Sequence, residues 1–375
     1  MIYSNLDLLY QGQFQNLDIE VDDSTGRILH VGKIKKQGEN FHNLKVIPGL
    51  IDPHTHGGDG FDFNSAKNQK DLQRVLLFYI KNGVTSVFPT VMTDDDATIK
   101  IALNNVKELA KTNPIIQGIH LEGPFLSEEF KGAQPKEFLQ PLDINKFNEY
   151  QEAAGGLIKY ITISPELPNT KQFTKDLIKQ GVHVSLGHSG ATFDETTVAI
   201  KEGANGFTHT MNAMKPIHQH FPSILSAATF YDKCYCELIL DGIHVHPEMV
   251  QWLTHIKTYK KIVGVTDSLM SAGLPNGDYF IGSTPITVKD GDCKITGTNT
   301  RAGSTLKAID GFKNFKKFTG LGDVEASDVW SKNVAKMLGL DKDIGSIDVG
   351  TYANFIVLDE NDNLVHSYIR GVKQF

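Results

Sequence analysis

The stretch Pro48–His56 reads PGLIDPHTH and runs on into Gly57–Gly60, GGDG. The apolar run that carries it, Val46, Ile47, Leu50 and Ile51, ends at an acid, a proline and two histidines one residue apart. On an extended strand residues i and i+2 point the same way, so His54 and His56 can face one point in space. Two readings are open here: imidazoles aimed at a metal ion, or a surface loop that carries two histidines. What stands at the ends of the other strands decides between them.

From residue 46 onward, short apolar runs alternate with amphipathic segments at the spacing of βα units. The runs are VIPGLID (46–52), TSVFPT (85–90), IIQGIHLE (115–122), YITISPE (160–166), VHVSLGH (182–188), GFTHT (206–210), CELIL (236–240) and KIVGVTD (261–267). Between them the pattern predicts helices over 70–82, 97–111, 170–180 and 194–202, with Gly83, Gly181 and Gly203 as stop signals. Eight such units in roughly 300 residues predict an α/β fold, a (β/α)8 TIM-like barrel. The rival, a doubly wound open sheet, calls for a glycine-rich phosphate turn after its first strand. HTHGGDG matches that fingerprint poorly.

The two ends of the chain alternate with a period of two instead. LDIEVDD and RILHVGKI lie in residues 1–47, and YANFIVLD and NLVHSYIRGV in residues 345–375. Each end is too short to bury a core alone, so together they predict a small β-sandwich domain flanking a barrel of residues 48–344. DYFIGSTPITVKDGDCKITG (278–297) predicts a hairpin inserted after the eighth strand.

Composition narrows the function classes. The 375 residues are 40% hydrophobic and 22% charged, as in an ordinary globular protein, and the net charge of −7 argues against a nucleic-acid partner. No apolar run is long enough to span a bilayer, so no membrane partner is expected. The start, MIYSNLDLLY, lacks the features of a signal peptide, and three cysteines make no disulfide framework. Together these predict a cytoplasmic protein. Cys234 and Cys236 read as a buried apolar pair rather than a thiol site.

Barrel chemistry sits at the C-terminal ends of the strands. Those ends carry His54 and His56, Thr90, Glu122, Ser164 and Glu166, His188, His209, Asp241 with His244 just beyond, and Asp267. A lone histidine at a strand end is more often merely polar. So many imidazole and carboxylate groups on one rim would cost too much desolvation without a cation to compensate them. The metal reading of PHTH wins.

HLEGPFL (120–126), GHSGAT (187–192), THTMNAM (208–214), DGIHVHP (241–247), VTDSLMSAG (265–273) and RAGSTL (301–306) resemble, in order, the motifs of the N-acetylglucosamine-6-phosphate deacetylase family. PGLIDPHTHG resembles the metal-binding opening of the wider amidohydrolase superfamily, and DVGTYANFIVLD (348–359) its return strand. The resemblance implies a barrel of the metal-dependent hydrolase type that cleaves an acetamide from an amino-sugar phosphate, working as a homodimer. It places primary metal ligands on Glu122, His188 and His209, and a second ion on His54 and His56, giving one or two divalent ions per subunit. Imidazole and carboxylate suit Zn, Fe, Co or Mn. TISPE offers no lysine at the fourth strand, so Glu122 would have to bridge two ions.

By the same resemblance, Asp267 is the catalytic acid–base group and His244 contacts the sugar and polarises the carbonyl. Ala133, Gln134, Asn212, Ala213 and Arg301–Gly303, including Ala302, fall on substrate-contact positions. The sequence departs from the family after NAM. KPIHQHFPS puts His220 where the family has a phosphate-binding arginine, which predicts a weaker grip that fades as an imidazole loses its proton. The alternative is a deacetylase of an unphosphorylated or otherwise different N-acyl substrate. A non-catalytic barrel is the remaining possibility, and the intact Asp267 and five ligands speak against it.

Overall fold

The computed structural model describes residues 1–375 except Gln37 and Ser283. Eight barrel strands appear where the apolar runs predict them. They are β1 (Leu50–Thr55), β2 (Val84–Met92), β3 (Ile119–Glu122), β4 (Ile158–Ile163), β5 (His183–Leu186), β6 (Gly206–Phe207), β7 (Tyr235–Ile239) and β8 (Ile262–Val265). They pair in sequence order, all parallel. Both faces of these strands are buried, which is why they read as near-continuous apolar runs.

The seam between β8 and β1 closes through a few specific bonds. Asp267 N–H donates to the His54 carbonyl and His56 N–H to the Ser268 carbonyl, each at 2.9 Å. Lower in the seam a side chain stands in for the ladder. Thr266 donates its hydroxyl to Asp52 Oδ2 at 2.6 Å and its N–H to Asp52 Oδ1 at 3.3 Å.

The four predicted helices form over Gln69–Ile80, Asp96–Ala110, Thr170–Lys179 and Phe193–Lys201. In the second of these, Asp95 caps the first turn and Ile99, Ala102, Leu103 and Val106 give the buried stripe. Thr192 and Glu195 start the fourth with a reciprocal capping box.

The run VIPGLID serves two sheets. Lys45–Pro48 pairs antiparallel with Phe355–Leu358, and Leu50–Thr55 begins the barrel. Gly49 makes the transition against β2, where a Cβ would sit 2.1 Å from Thr85 Oγ1. Strands from both chain ends join one branched sheet that folds over a core of its own, bringing the Tyr3 and Tyr368 rings to 5.4 Å. Alternation divides its side chains between two cores. Leu8, Val46, Phe355 and Val357 pack with Tyr3, Phe41 and Tyr368, whereas Leu9, Ile47, Ile356 and Leu358 pack into the barrel core. The expected hairpin is a three-stranded antiparallel unit over Gly277–Ile281, Thr284–Lys289 and Asp292–Ile295. All three cysteines are free and buried.

Candidate active site

Buried ligand atoms from five strand ends meet at the rim. Glu122 closes β3, His188 and His209 follow β5 and β6, His54 and His56 lie at the end of β1, and Asp267 follows β8. His188 Nε2, His209 Nε2 and His54 Nε2 stand 3.1, 3.2 and 3.3 Å from Glu122 Oε1. His56 Nε2 lies 3.2 Å from Glu122 Oε2 and 3.1 Å from Asp267 Oδ1. Glu122 thus joins two ligand groups, its own with His188 and His209 and that of His54, His56 and Asp267.

The donor set fits a divalent cation. His188 Nε2 and His209 Nε2 approach to 3.0 Å, and His54 Nε2 is buried without a hydrogen-bond partner. Atoms that share an ion at about 2.0–2.1 Å stand about 3 Å from one another. Burial opposes charge throughout, yet His54, His188 and His209 hold the Glu122 carboxyl well below the usual carboxylate range. In return, and again against burial, Glu122 and Asp267 raise His54 well above an ordinary imidazole, and Asp267 and Glu122 take His56 up to about 9. The cage draws positive charge onto these nitrogens, and protons compete there with metal.

Neighbouring groups aim the ligands. His188 Nδ1 donates to the Phe130 carbonyl at 2.9 Å, which turns Nε2 toward Glu122. Gln134 Nε2 donates to Glu122 Oε2 at 2.9 Å, and Gln134 Oε1 accepts from Thr93 N–H at 3.1 Å. His188, His209 and Asp267 hold φ values of +47°, +29° and +47°, left-handed conformations that cost on the order of 1–3 kcal/mol each. Other strand-end residues brace loops. Ser164 donates to the His188 carbonyl at 2.6 Å, and Glu166 accepts from Ser189 and Gly190, each at 2.7 Å. His120 is no ligand, because both its nitrogens meet hydroxyls, Thr90 Oγ1 at 3.3 Å and Thr162 Oγ1 at 2.8 Å. Burial, then the charge on His54, pushes its pKa well below normal.

Above the ligands opens a cavity of about 370 Å³. Of the expected substrate contacts, Ala133, Gln134, Asn212, Ala213, His244, Arg301 and Gly303 line it. His244 Nδ1 is held by Asp241 Oδ2 at 2.6 Å, leaving Nε2 free. Two expected contacts stand elsewhere. Ala302 is buried beneath the wall with Leu269 and Cys293. His220 lies on an exposed loop beside His218 and Phe221, outside the cavity, because Lys215–Pro222 runs over the surface before the helix Ile224–Phe230 starts. Arg301 is the one Lys or Arg among the described lining residues, and its Nε donates to Asp292 Oδ1 at 2.8 Å.

The amidohydrolase family model matches residues 45–373, nearly the whole chain. The chain belongs to the amidohydrolase family. It is 34% identical over 333 residues to the N-acetylglucosamine-6-phosphate deacetylase of Bacillus subtilis, covering 87% of this chain and 83% of that one. It is 31% identical to the N-acetylgalactosamine-6-phosphate deacetylase of Escherichia coli O157:H7, covering 87% of this chain and 86% of the other. The crystal structure of the Thermotoga maritima N-acetylglucosamine-6-phosphate deacetylase superposes with a TM-score of 0.91 at 33% identity, over 100% of this chain and 99% of that one. Amidohydrolases are metal-dependent, and this one gathers buried His, Asp and Glu groups suited to a metal. Among the described residues of this amidohydrolase, no helix is long and apolar enough to cross a membrane.

Sequence reasoning passed over two buried carboxylates in this amidohydrolase. Glu237 interrupts the apolar run of β7 and faces His54 and Tyr160. Asp52 sits at the seam, where burial pushes its carboxyl up to about 7. A carboxyl raised from 3.8 binds more protons folded than unfolded, so its contribution to stability is full below about pH 4 and is lost as the pH rises through about 7. Asp52→Asn keeps the shape and an oxygen that accepts from Thr266, and it carries no group that titrates. The thermal midpoint of the chelated variant should therefore fall less between pH 5 and pH 8 than that of the chelated wild type. Equal falls would show that Asp52 titrates alike in both states.

Proposed function

We propose that this amidohydrolase hydrolyses the acetamide of N-acetyl-D-glucosamine 6-phosphate to D-glucosamine 6-phosphate and acetate, a step of amino-sugar catabolism. The observation that carries the reading is the convergence of Glu122, His188, His209, Asp267 and His244 on one cavity, in a chain whose relatives bear that activity's name. Glu122, His188 and His209 would hold a first divalent ion, and His54 with His56 would hold a second where two bind, the metal being Zn, Fe, Co or Mn. When bound, such an ion supplies positive charge that polarises an amide and makes water a nucleophile near neutral pH.

Asp267 accepts the proton of the attacking water as its oxygen bonds to the acetamide carbon. The same carboxyl then passes that proton to the departing nitrogen, so the C–N bond breaks to a neutral amine. His244, held through Nδ1 by Asp241, presents Nε2 to the acetamide oxygen and polarises it. Gln134 keeps Glu122 oriented, while Ala133, Asn212, Ala213 and the Arg301–Gly303 turn hold the sugar. Arg301, the one Lys or Arg among the described lining residues, is the candidate contact for the 6-phosphate.

Residues 1–47 and 345–375 make the flanking β domain and residues 48–344 the catalytic barrel. The enzyme works in the cytoplasm as a homodimer. The exposed Ile217, Phe221 and Phe230 beside the Lys215–Pro222 loop support a contact with a second copy there, which would bring His220 near a neighbouring site. A second reading, the galactosamine epimer as substrate, is favoured by the relative from Escherichia coli O157:H7.

The test is kcat/KM of the metal-loaded protein for acetate release from N-acetylglucosamine 6-phosphate, its galactosamine epimer and unphosphorylated N-acetylglucosamine. The first substrate should lead. A lead for the epimer would install the second reading. Equal rates with and without phosphate would move the substrate to a plain acetamido sugar.

A further inference from the structure

Glu237 has no part in the steps above. It lies in the middle of β7 with none of its surface exposed, and among the described residues no Lys or Arg pairs with it. A carboxylate buried without a cation is costly, and an apolar residue would pack the same strand. Its two oxygens are nonetheless fully used. Tyr160 donates its hydroxyl to Oε1 at 2.6 Å, while His54 Nδ1 and the His209 N–H meet Oε2 at 3.1 and 3.0 Å. Those donors come from β4, from β1 and from the turn after β6, so one side chain ties three parts of the rim together.

A carboxylate can only accept, so His54 must carry its proton on Nδ1. In the neutral ring that a metal requires, the lone pair then sits on Nε2, the buried atom that has no hydrogen-bond partner and lies 3.3 Å from Glu122 Oε1. Through the His209 N–H the same oxygen also fixes the backbone of a ligand in the other group.

We propose that Glu237 is a positioning residue for the metal centre, setting the tautomer and direction of His54 and adding negative charge behind its ring. The inference rests on the reading that the cage binds divalent ions. Carboxylates behind metal-bound histidines typically contribute about 10–100-fold to metal affinity.

The experiment is competition for Zn2+ between a chelator and the full-length protein, alongside the thermal midpoint of the metal-free form. Zn2+ binding by the wild type tests the cage itself, and no binding there would overturn both readings. Glu237→Gln retains size and an acceptor oxygen but loses the charge. It should weaken Zn2+ at one site by about 10–100-fold while the metal-free protein stays folded. In a His54→Ala background the same change should leave the affinity of the remaining site within about threefold, since distant effects add and coupled ones do not. Unchanged affinity in Glu237→Gln, or a full-sized loss that persists without His54, overturns the proposal. A merely structural Glu237 would lower the thermal midpoint and leave Zn2+ affinity alone. If Glu237→Gln does not fold, Tyr160→Phe carries the test, because it frees Glu237 from its anchor. It should weaken Zn2+ in the same direction, and an unchanged affinity there is equally fatal.

Discussion

Glu122→Gln should leave a folded protein that retains neither metal nor turnover. Glu122 is the common neighbour of four imidazoles, with Oε1 3.1–3.3 Å from His188, His209 and His54 and Oε2 3.2 Å from His56. A glutamine must point its NH2 at one ligand group or the other, replacing an acceptor by a donor where a cation would sit. It also removes the one negative charge common to both groups. The loss of affinity should exceed the roughly 10–100-fold that outer residues contribute. Metal analysis after dialysis and acetate release from the phosphorylated sugar measure the two effects. His54→Ala, by contrast, should lose at most one equivalent of metal. Chelation of the wild type should abolish activity and divalent metal restore it. Because Asp267 and Glu122 hold His56 up to about 9 against burial, protons compete for its nitrogen and occupancy should fall as the pH drops. A Glu122→Gln protein with full metal and near-native turnover would remove the cage from the mechanism.

The barrel was legible because its strands are buried on both faces, so even the two-residue β6 stands out within GFTHT. The groups of the buried cage were legible for a related reason, since several imidazoles and acids directly after apolar runs on one rim have few structural uses. Long-range pairing was harder to read. Nothing local in VIPGLID says that Val46 pairs with Val357 while Leu50 turns to Val84, and only the close approach at Gly49 marks the change. Glu237 and Asp52 were missed because each lies within or at the end of an apolar run, where an isolated acid reads as a break. Their signal is that a carboxylate in a strand buried on both sides needs donors from its neighbours. Gln134 was read as a substrate contact, and it also braces Glu122. His220 was placed by its register against a family motif. Register in an irregular exposed loop carries little information about direction, and the loop leads it away from the cavity. The left-handed backbone at His188, His209 and Asp267 has no local signature, because the surrounding barrel imposes it.

Asp267→Asn should keep the fold and the Glu122–His188–His209 ion but lose most of its turnover. The position has a φ of +47°, which asparagine adopts as readily as aspartate, whereas alanine would add strain. Asp267 N–H donates to the His54 carbonyl through the backbone, so the seam survives the change. What disappears is a carboxylate 3.1 Å from His56 Nε2, one that His54 and His56 keep below its ordinary pKa although burial opposes this. It is therefore ionised at neutral pH and ready to take a proton from water. An amide can neither take that proton nor return it to the leaving nitrogen. General acid–base catalysis contributes about 10²–10⁴-fold, and kcat should fall by at least that much because one group serves both transfers. KM should change far less, since the role proposed for Asp267 is on the reacting atoms rather than on the sugar. Metal at His54 and His56 should weaken, as Asp267 belongs to that group. Metal analysis, kcat and KM on the phosphorylated sugar separate these effects. A variant with normal metal content and near-native kcat would show that the proton travels by another route.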